Sequence, residues 1–312
     1  MIRSLHINVL ALPIAIVVLA LSVGVLEPAF LTVESGISIV HRMATIGIMA
    51  VGMTFVIMTA GIDLSVGPTL ALGGLVSYFS LQYGLPLPLV VLAGIASGAL
   101  VGAINGVAVA TLKLPAIIVT LGMLSIVRGT ALLIGGPTLH QITDAPTYSF
   151  IGTGSVAGLP VSVWIFFAIA GIAIFVQRFT TYGYQISTLG DNPEAAHLSG
   201  RPTRLLICST YVICGACAAL AGIIESTQVY TASANYGEFG TELDVISAVI
   251  LGGASLFGGK AYVYNTVLGV LFLGIVNSGL NILNVPIEAQ LIIKGAIIVT
   301  ALGLVSVSRL NR

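Results

Sequence analysis

The sequence predicts an all-α, polytopic membrane protein with about ten transmembrane helices arranged as two inverted five-helix repeats. Three observations predict it. First, 57 % of the 312 residues are hydrophobic and only 7 % are charged, where an ordinary soluble domain carries about 25 %. Second, a spanning helix needs roughly 20 mostly apolar residues, and ten such segments succeed one another along the chain. Third, two long stretches in opposite halves carry similar landmarks. The balanced charge, 11 basic against 11 acidic residues, excludes the basic footprint expected of a nucleic-acid binder. The hydrophobicity excludes disorder.

The ten segments run over about 8–26, 38–60, 64–82, 87–111, 115–135, 160–177, 205–228, 243–257, 262–283 and 287–307. Gly and Pro interrupt the third and the eighth. The first follows Arg3, is a full span long and precedes no small-x-small cleavage pattern, so it reads as a retained anchor rather than a secretory signal. Basic residues set the orientation. With both termini cytoplasmic, Arg3, Lys113, Arg178, Arg201, Arg204, Lys260, Arg309 and Arg312 all fall on the cytoplasmic side. Glu27, Glu34, Asp144, Glu238, Glu242 and Glu288 fall outside. The chain is therefore expected to cross a membrane many times.

The whole of 1–312 reads as one transmembrane domain, with halves at about 1–135 and 160–312. Gly102-Ala-Ile-Asn105 precedes Pro115 and an apolar helix, as Gly274-Ile-Val-Asn277 precedes Pro286 and another. Asp63-Leu-Ser65 leads to Gly73-Gly74, as Asp244-Val-Ile-Ser247 leads to Gly252-Gly253. Five spans per half give the halves opposite orientations, a transporter signature with the substrate path between them. Gly94, Gly98, Gly102 and Gly106 recur every fourth residue and predict a close helix contact.

Several positions are candidates for function. Gly61-Ile-Asp63-Leu-Ser65 interrupts an apolar stretch. Asp63 and Ser65 suit the cap of the next helix, and a broken helix in a membrane needs protein or a cavity around it. Asn105, Asn277 and Asn281 either line a path for a hydroxylated solute or hydrogen-bond between helices. Arg42, Arg128 and Lys294 lie within spans, where a charge must pair, snorkel or face water. Glu225 and Asp244 are the nearby acids. The cytoplasmic connection 178–204 holds Asn192, Pro193 and Glu194, which suit a helix start, and Gly200 and Pro202, which suit its end. A helix of about two turns is predicted there, too short to stand alone in water.

Enzyme signatures are missing. Gly258-Gly259-Lys260-Ala261 fails the phosphate-binding loop, with Ala254 and Ala261 at the first Gly and the final Ser/Thr. Gly152-x-Gly154-x-x-Ala157 has no βαβ context. His6, His41, His140 and His197 show no zinc spacing. Cys214-x-x-Cys217 reads as two small residues on a buried face rather than a redox pair. A membrane enzyme is disfavoured, and no cofactor is expected on this chain.

Four motifs resemble those of ribose-type ABC sugar permeases, within the superfamily that also includes branched-chain amino acid permeases. They are the run from Ile48 through Gly61-Ile-Asp63-Leu-Ser65, the run Gly190-Asp-Asn192-Pro193-Glu194-Ala195-Ala196-His197-Leu-Ser199-Gly200, the run from Gly240 through Asp244 and Gly252-Gly253 to Lys260, and Gly274-Ile-Val-Asn277-Ser-Gly-Leu-Asn281. Together they cover nearly the whole chain in order, and the sugar branch matches more closely than the amino-acid branch. The resemblance implies the membrane subunit of an ATP-driven bacterial importer for a monosaccharide or related sugar. It also implies a dimer of permease subunits, a cytoplasmic ATPase that holds ATP and Mg, and a periplasmic sugar-binding protein. Asn192, Pro193, Glu194, Ala195, Ala196, Ser199 and Gly200 match the family's ATPase-coupling helix. Gly61, Asp63, Ser65, Asn105, Asn277 and Asn281 are the candidates for the path. The competing reading is an ion-coupled secondary transporter. It needs an intramembrane carboxylate, for which Asp63, Glu225 and Asp244 are the candidates.

Overall fold

The computed structural model describes residues 3–237 and 240–310. Glu238 and Arg312, both counted in the charge reading, lie outside the described residues. The chain runs α1 (Arg3–Leu26), a 3-10 turn (Pro28–Leu31), α2 (Val33–Met58), α3 (Val66–Gln82), α4 (Leu87–Ala110) and α5 (Ala116–Gly135). It then passes through β1 (His140–Gln141), α6 (Pro146–Thr153), β2 (Ser155–Val156) and β3 (Leu159–Pro160). There follow α7 (Val161–Phe179), α8 (Thr181–Asp191), α9 (Pro193–Leu198), α10 (Thr203–Gln228), β4 (Thr231–Ala232), α11 (Thr241–Leu251), α12 (Val263–Ile282) and α13 (Ile287–Leu310).

Each of the ten apolar segments coincides with a helix. Among the described residues, six are long and apolar enough to cross a membrane: α2, α4, α5, α7, α10 and α12. The peripheral helices expose apolar faces, such as Leu92, Leu100 and Ile104 on α4 and Ile118, Ile126 and Leu133 on α5. In water such a surface would be an aggregation hazard; in lipid it is the natural exterior. The short strands pair antiparallel as β1 with β4 and β2 with β3, at the end of the bundle that also carries α6. The opposite end carries α8 and α9.

The core is built on α2 and α10, which pack against one another. α2 also packs on α11 and α12, and α10 on α3 and α4. The glycine stripe explains the closest of these contacts. A side chain on Gly98 would strike the Gly215 carbonyl, one on Gly102 the Tyr211 carbonyl, and one on Gly106 the Cys208 backbone. The missing side chains let the α4 and α10 backbones touch, so dispersion contacts replace the hydrophobic drive that lipid does not supply. Cys214 and Cys217 are buried free thiols packed on Gly52 of α2.

Two expectations need correction. α11 ends at Leu251 rather than near 257, because Gly253 (φ +83°), Gly258 (φ +89°) and Gly259 (φ +75°) turn the chain through the left-handed region, which glycine adopts at no steric cost. Glu242, expected in an outer loop, is in the first turn of α11. Its Oε1 lies 2.5 Å from where a side chain on Gly67 of α3 would begin.

Candidate functional site

The segment 180–200 folds as two helices where the sequence predicted one. Thr180 caps α8 by accepting from the Gly183 amide, and Asn192 caps α9 by accepting from the Ala195 amide at 3.0 Å. Pro193 takes the first helical position of α9, and Glu194 complements the positive helix start. Ser199 is the C-cap, and its Oγ donates to the Ala195 carbonyl at 2.7 Å. Gly200 (φ +73°) turns the chain away. Of the seven coupling candidates only Ala196 is buried, against the body of the protein. Asn192, Pro193, Glu194, Ala195, Ser199 and Gly200 are exposed, and Leu198 stands 81 % exposed at the helix end.

α8 holds this segment to the bundle. Gly190 sits against the Met58 carbonyl at the end of α2, and no Cβ fits there. The Gly259 amide donates to that same carbonyl at 2.9 Å, and Ser187 Oγ donates to the Gly259 carbonyl at 3.0 Å. Gln177 at the end of α7 donates to the Ala261 carbonyl (2.6 Å) and accepts from the Val263 amide (2.9 Å). Arg201 lies over the Tyr184 ring at 5.0 Å and donates to Thr188 Oγ1. α9 packs on α8 and α10, and α8 is in turn fixed to the end of α2 and the α11–α12 turn. Sequence reading missed α8 and Gln177, because their partners are backbone groups some 70 or more residues away. A cleft of about 400 Å³ behind α9 is lined by Lys113, Leu114, Leu189, Glu194, His197 and Arg204, among others.

The path candidates divide into two groups. Asp63, Ser65 and Asn105 come together, all essentially inaccessible. Asp63 Oδ1 accepts from the Ser65 amide (2.9 Å) and from Ser65 Oγ (2.6 Å). Asn105 Nδ2 donates to Ser65 Oγ at 2.9 Å and reaches Asp63 Oδ1 at 3.4 Å. Ser65 is the N-cap of α3, yet its hydroxyl serves Asp63 instead of the helix amides. Gly61 is buried against the Tyr211 hydroxyl, where no side chain fits. In this conformation the group lies in packed protein and joins the α2–α3 break to α4. Asn277 is partly buried, and Asn281 is exposed and accepts from Gln290 at 2.9 Å. The structure does not bring either to the Asp63 cluster.

The three cations within the sequence-predicted spans differ in their surroundings. Lys294 of α13 pairs with Asp244 of α11 at 3.1 Å. Arg128 of α5 donates to the carbonyls of Ala234, Tyr236 (2.8 Å) and Gly237 (3.0 Å). The guanidinium thereby serves the irregular strand that leads into α11. Such backbone survives at membrane depth only where its polar groups are satisfied. Arg42 of α2 is exposed, and among the described residues no group hydrogen-bonds or ion-pairs with it. Among the described residues, no group of three or more His, Cys, Asp or Glu is placed to hold a metal ion.

Comparison with known proteins adds a family to this geometry. The family model described as branched-chain amino acid transport system / permease component matches residues 36–302. The ribose import permease protein RbsC of Escherichia coli K12 is 40 % identical over 291 residues, covering 92 % of this chain and 90 % of that one. The galactofuranose transporter permease protein YtfT of the same organism is 38 % identical, covering 86 % of this chain and 78 % of that one. The fructose import permease protein FrcC of Rhizobium meliloti is 34 % identical, covering 96 % and 86 %. No solved structure matches.

Proposed function

The chain belongs to the family of branched-chain amino acid transport system permease components, and from that premise we propose that it is the membrane permease of an ATP-driven importer for a monosaccharide or related sugar. It is a transporter component and not an enzyme. The single observation that carries the reading is the capped, exposed α9, held by α8 against the ends of α2 and α7 and the α11–α12 turn. ATP and Mg belong to a cytoplasmic ATPase, whose closure α9 receives and passes to the core. A sugar-binding protein delivers the solute at the opposite face, and a second permease copy or paralogue completes the path. The names of the relatives, which import ribose, galactofuranose and fructose, support a sugar as the cargo.

In this reading ten helices cross the bacterial inner membrane: α1 to α5, α7 and α10 to α13. Both termini are cytoplasmic, with α8 and α9 in the cytosol and α6 outside. Packing supports an inverted repeat of halves 1–135 and 160–312 within one domain. α2 meets α11 and α12 as α10 meets α3 and α4, the pattern expected of halves exchanged by a two-fold axis in the membrane plane. Asn192, Pro193, Glu194, Ala195, Ala196, Ser199 and Gly200 form the ATPase contact. Gly61, Asp63, Ser65 and Asn105 act as the pivot beside the path, and Asn277 and Asn281 lie on its second-half counterpart.

The test is purification of the tagged chain from its native membrane in mild detergent. The reading expects an ATP-binding protein in stoichiometric amount. Its absence both there and after crosslinking in intact membranes overturns the reading in favour of ion-coupled uptake. Single cysteines at Glu194 and Phe150 are expected to label from opposite sides, and labelling from one side refutes the topology.

A further inference from the structure

We propose that Arg42 lines the outer mouth of the translocation path and donates hydrogen bonds from its guanidinium to the hydroxyls of the passing sugar. This rests on the importer reading above and adds a solute contact to it.

The argument begins with depth. Arg42 lies nine residues into α2, about 14 Å along the helix at 1.5 Å per residue. His41 Nδ1 is 2.7 Å from Ser162 Oγ at the start of α7, and its carbonyl accepts from Gln228 at the end of α10. These contacts fix Arg42 in the half of the bundle nearer α6.

Direction comes next. α12 meets α2 at Ile39 and Met43 through Gly274, α7 meets it at Gly47 through Phe166, and α10 meets it at Gly52 through Cys214 and Cys217. One face remains, and it carries Arg42, Ile46, Met49 and Met53. Along that face exposure falls from open at Arg42, through partial at Ile46, to nothing at Met49 and Met53. α11 packs on α2, and with the other faces taken by α12, α7 and α10 it is the helix left to cover the inner part of this face.

α11 cannot cover the rest. Its 11 residues span about 16 Å, roughly half of a 30 Å hydrocarbon core. Its first turn lies deep, with Glu242 against Gly67 of α3. Above it the Arg42 face of α2 stays uncovered, and Glu34 and Ser38 continue the same exposed stripe outward.

A charge in that position must snorkel, face water or meet a ligand. Arg128 and Lys294 are engaged by protein groups; among the described residues Arg42 is not. A guanidinium offers five donors in a rigid fork and no acceptor, which matches adjacent hydroxyl oxygens. Glu34 on the same stripe supplies an acceptor for hydroxyl hydrogens and disfavours an anion. The chemistry therefore fits a neutral polyhydroxylated solute.

The test uses the whole importer, with its ATPase and binding protein, in intact cells. Arg42→Cys and Ser38→Cys are treated with a membrane-impermeant thiol reagent from outside, with the unmodified chain as control. Both are expected to label while the control does not. Failure of both to label, with normal membrane levels, overturns the proposal. Initial uptake of radiolabelled D-ribose, D-fructose and D-galactose is then measured. Arg42→Gln is expected to lower the rate for the transported sugar about tenfold or more, the loss that follows removal of one or two charged hydrogen bonds. Arg42→Lys, which keeps the charge, is expected to lie between Gln and the unmodified chain. A Gln variant within about twofold of the unmodified chain contradicts the sugar contact. Uptake of none of the three sugars by the unmodified importer refutes the sugar cargo itself, and labelling at 42 then still decides whether Arg42 faces an aqueous mouth. Protection by phosphatidylglycerol that is lost in Arg42→Gln, without external labelling, assigns the guanidinium to a lipid phosphate and overturns the proposal.

Discussion

The two breaks in the core, one ahead of α3 and one ahead of α11, solve the same problem with opposite chemistry. Each leaves irregular backbone within the bundle. Ahead of α3 the chain needs seven residues, 59–65, and an acceptor organises them: Asp63 Oδ1 accepts from the Ser65 amide and hydroxyl, with Asn105 reaching in from α4. Ahead of α11 the connection is longer, and a cation organises it: Arg128 of α5 donates to a row of carbonyls. A carboxyl oxygen serves donors left without partners and a guanidinium serves acceptors left without partners. The first break is closed locally and sealed. The second is held from a distant helix, next to a half-length α11.

That contrast can be broken at four places, in falling order of effect. Arg128→Ala strands several carbonyls away from water. It is expected to cost about 3 kcal/mol, roughly 1 kcal/mol for each carbonyl left without its donor, read as a large fall in melting temperature in detergent. Gly102→Leu, at the α4–α10 contact both breaks rest on, forces the backbones apart at a cost of about 3 kcal/mol. A thermal stability equal to the unmodified chain removes the close contact. Asp63→Ala frees Ser65 and Asn105 together and is expected to cost about 2 kcal/mol. Asp63→Asn keeps an acceptor and recovers part of it, so equal losses from the two variants contradict the hydrogen-bonding role. Lys294→Met removes an ion pair of which each side chain is 19 % exposed. It is expected to cost only about 1 kcal/mol, and a loss as large as that of Arg128→Ala voids the ranking.

The first break was legible in the sequence and the second was not. Asp63 and Ser65 are two residues apart, so turn chemistry announces them, although the hydroxyl of Ser65 serves Asp63 rather than the helix. The glycine stripe of α4 was legible as a contact, but its partner α10 was not. The start and end of α9 were legible because Asn192, Pro193 and Gly200 act on their own neighbours. What stayed hidden depends on groups far apart in the chain. Arg128 meets carbonyls 106 to 109 residues away, and carbonyls carry no side-chain signature. α8 lies in a stretch whose fixing contacts come from Met58 and Gly259. The early end of α11 turns on three left-handed glycines whose conformation no spacing rule specifies.

The most direct test of the central claim places a photo-crosslinking amino acid at Leu198, the exposed end of α9, and another at Phe150 on α6, both in intact membranes of the native host. The account predicts that position 198 captures a protein identified by mass spectrometry as an ATP-binding subunit and that position 150 does not. Capture of that subunit from 150 and not from 198, or from neither, would contradict it.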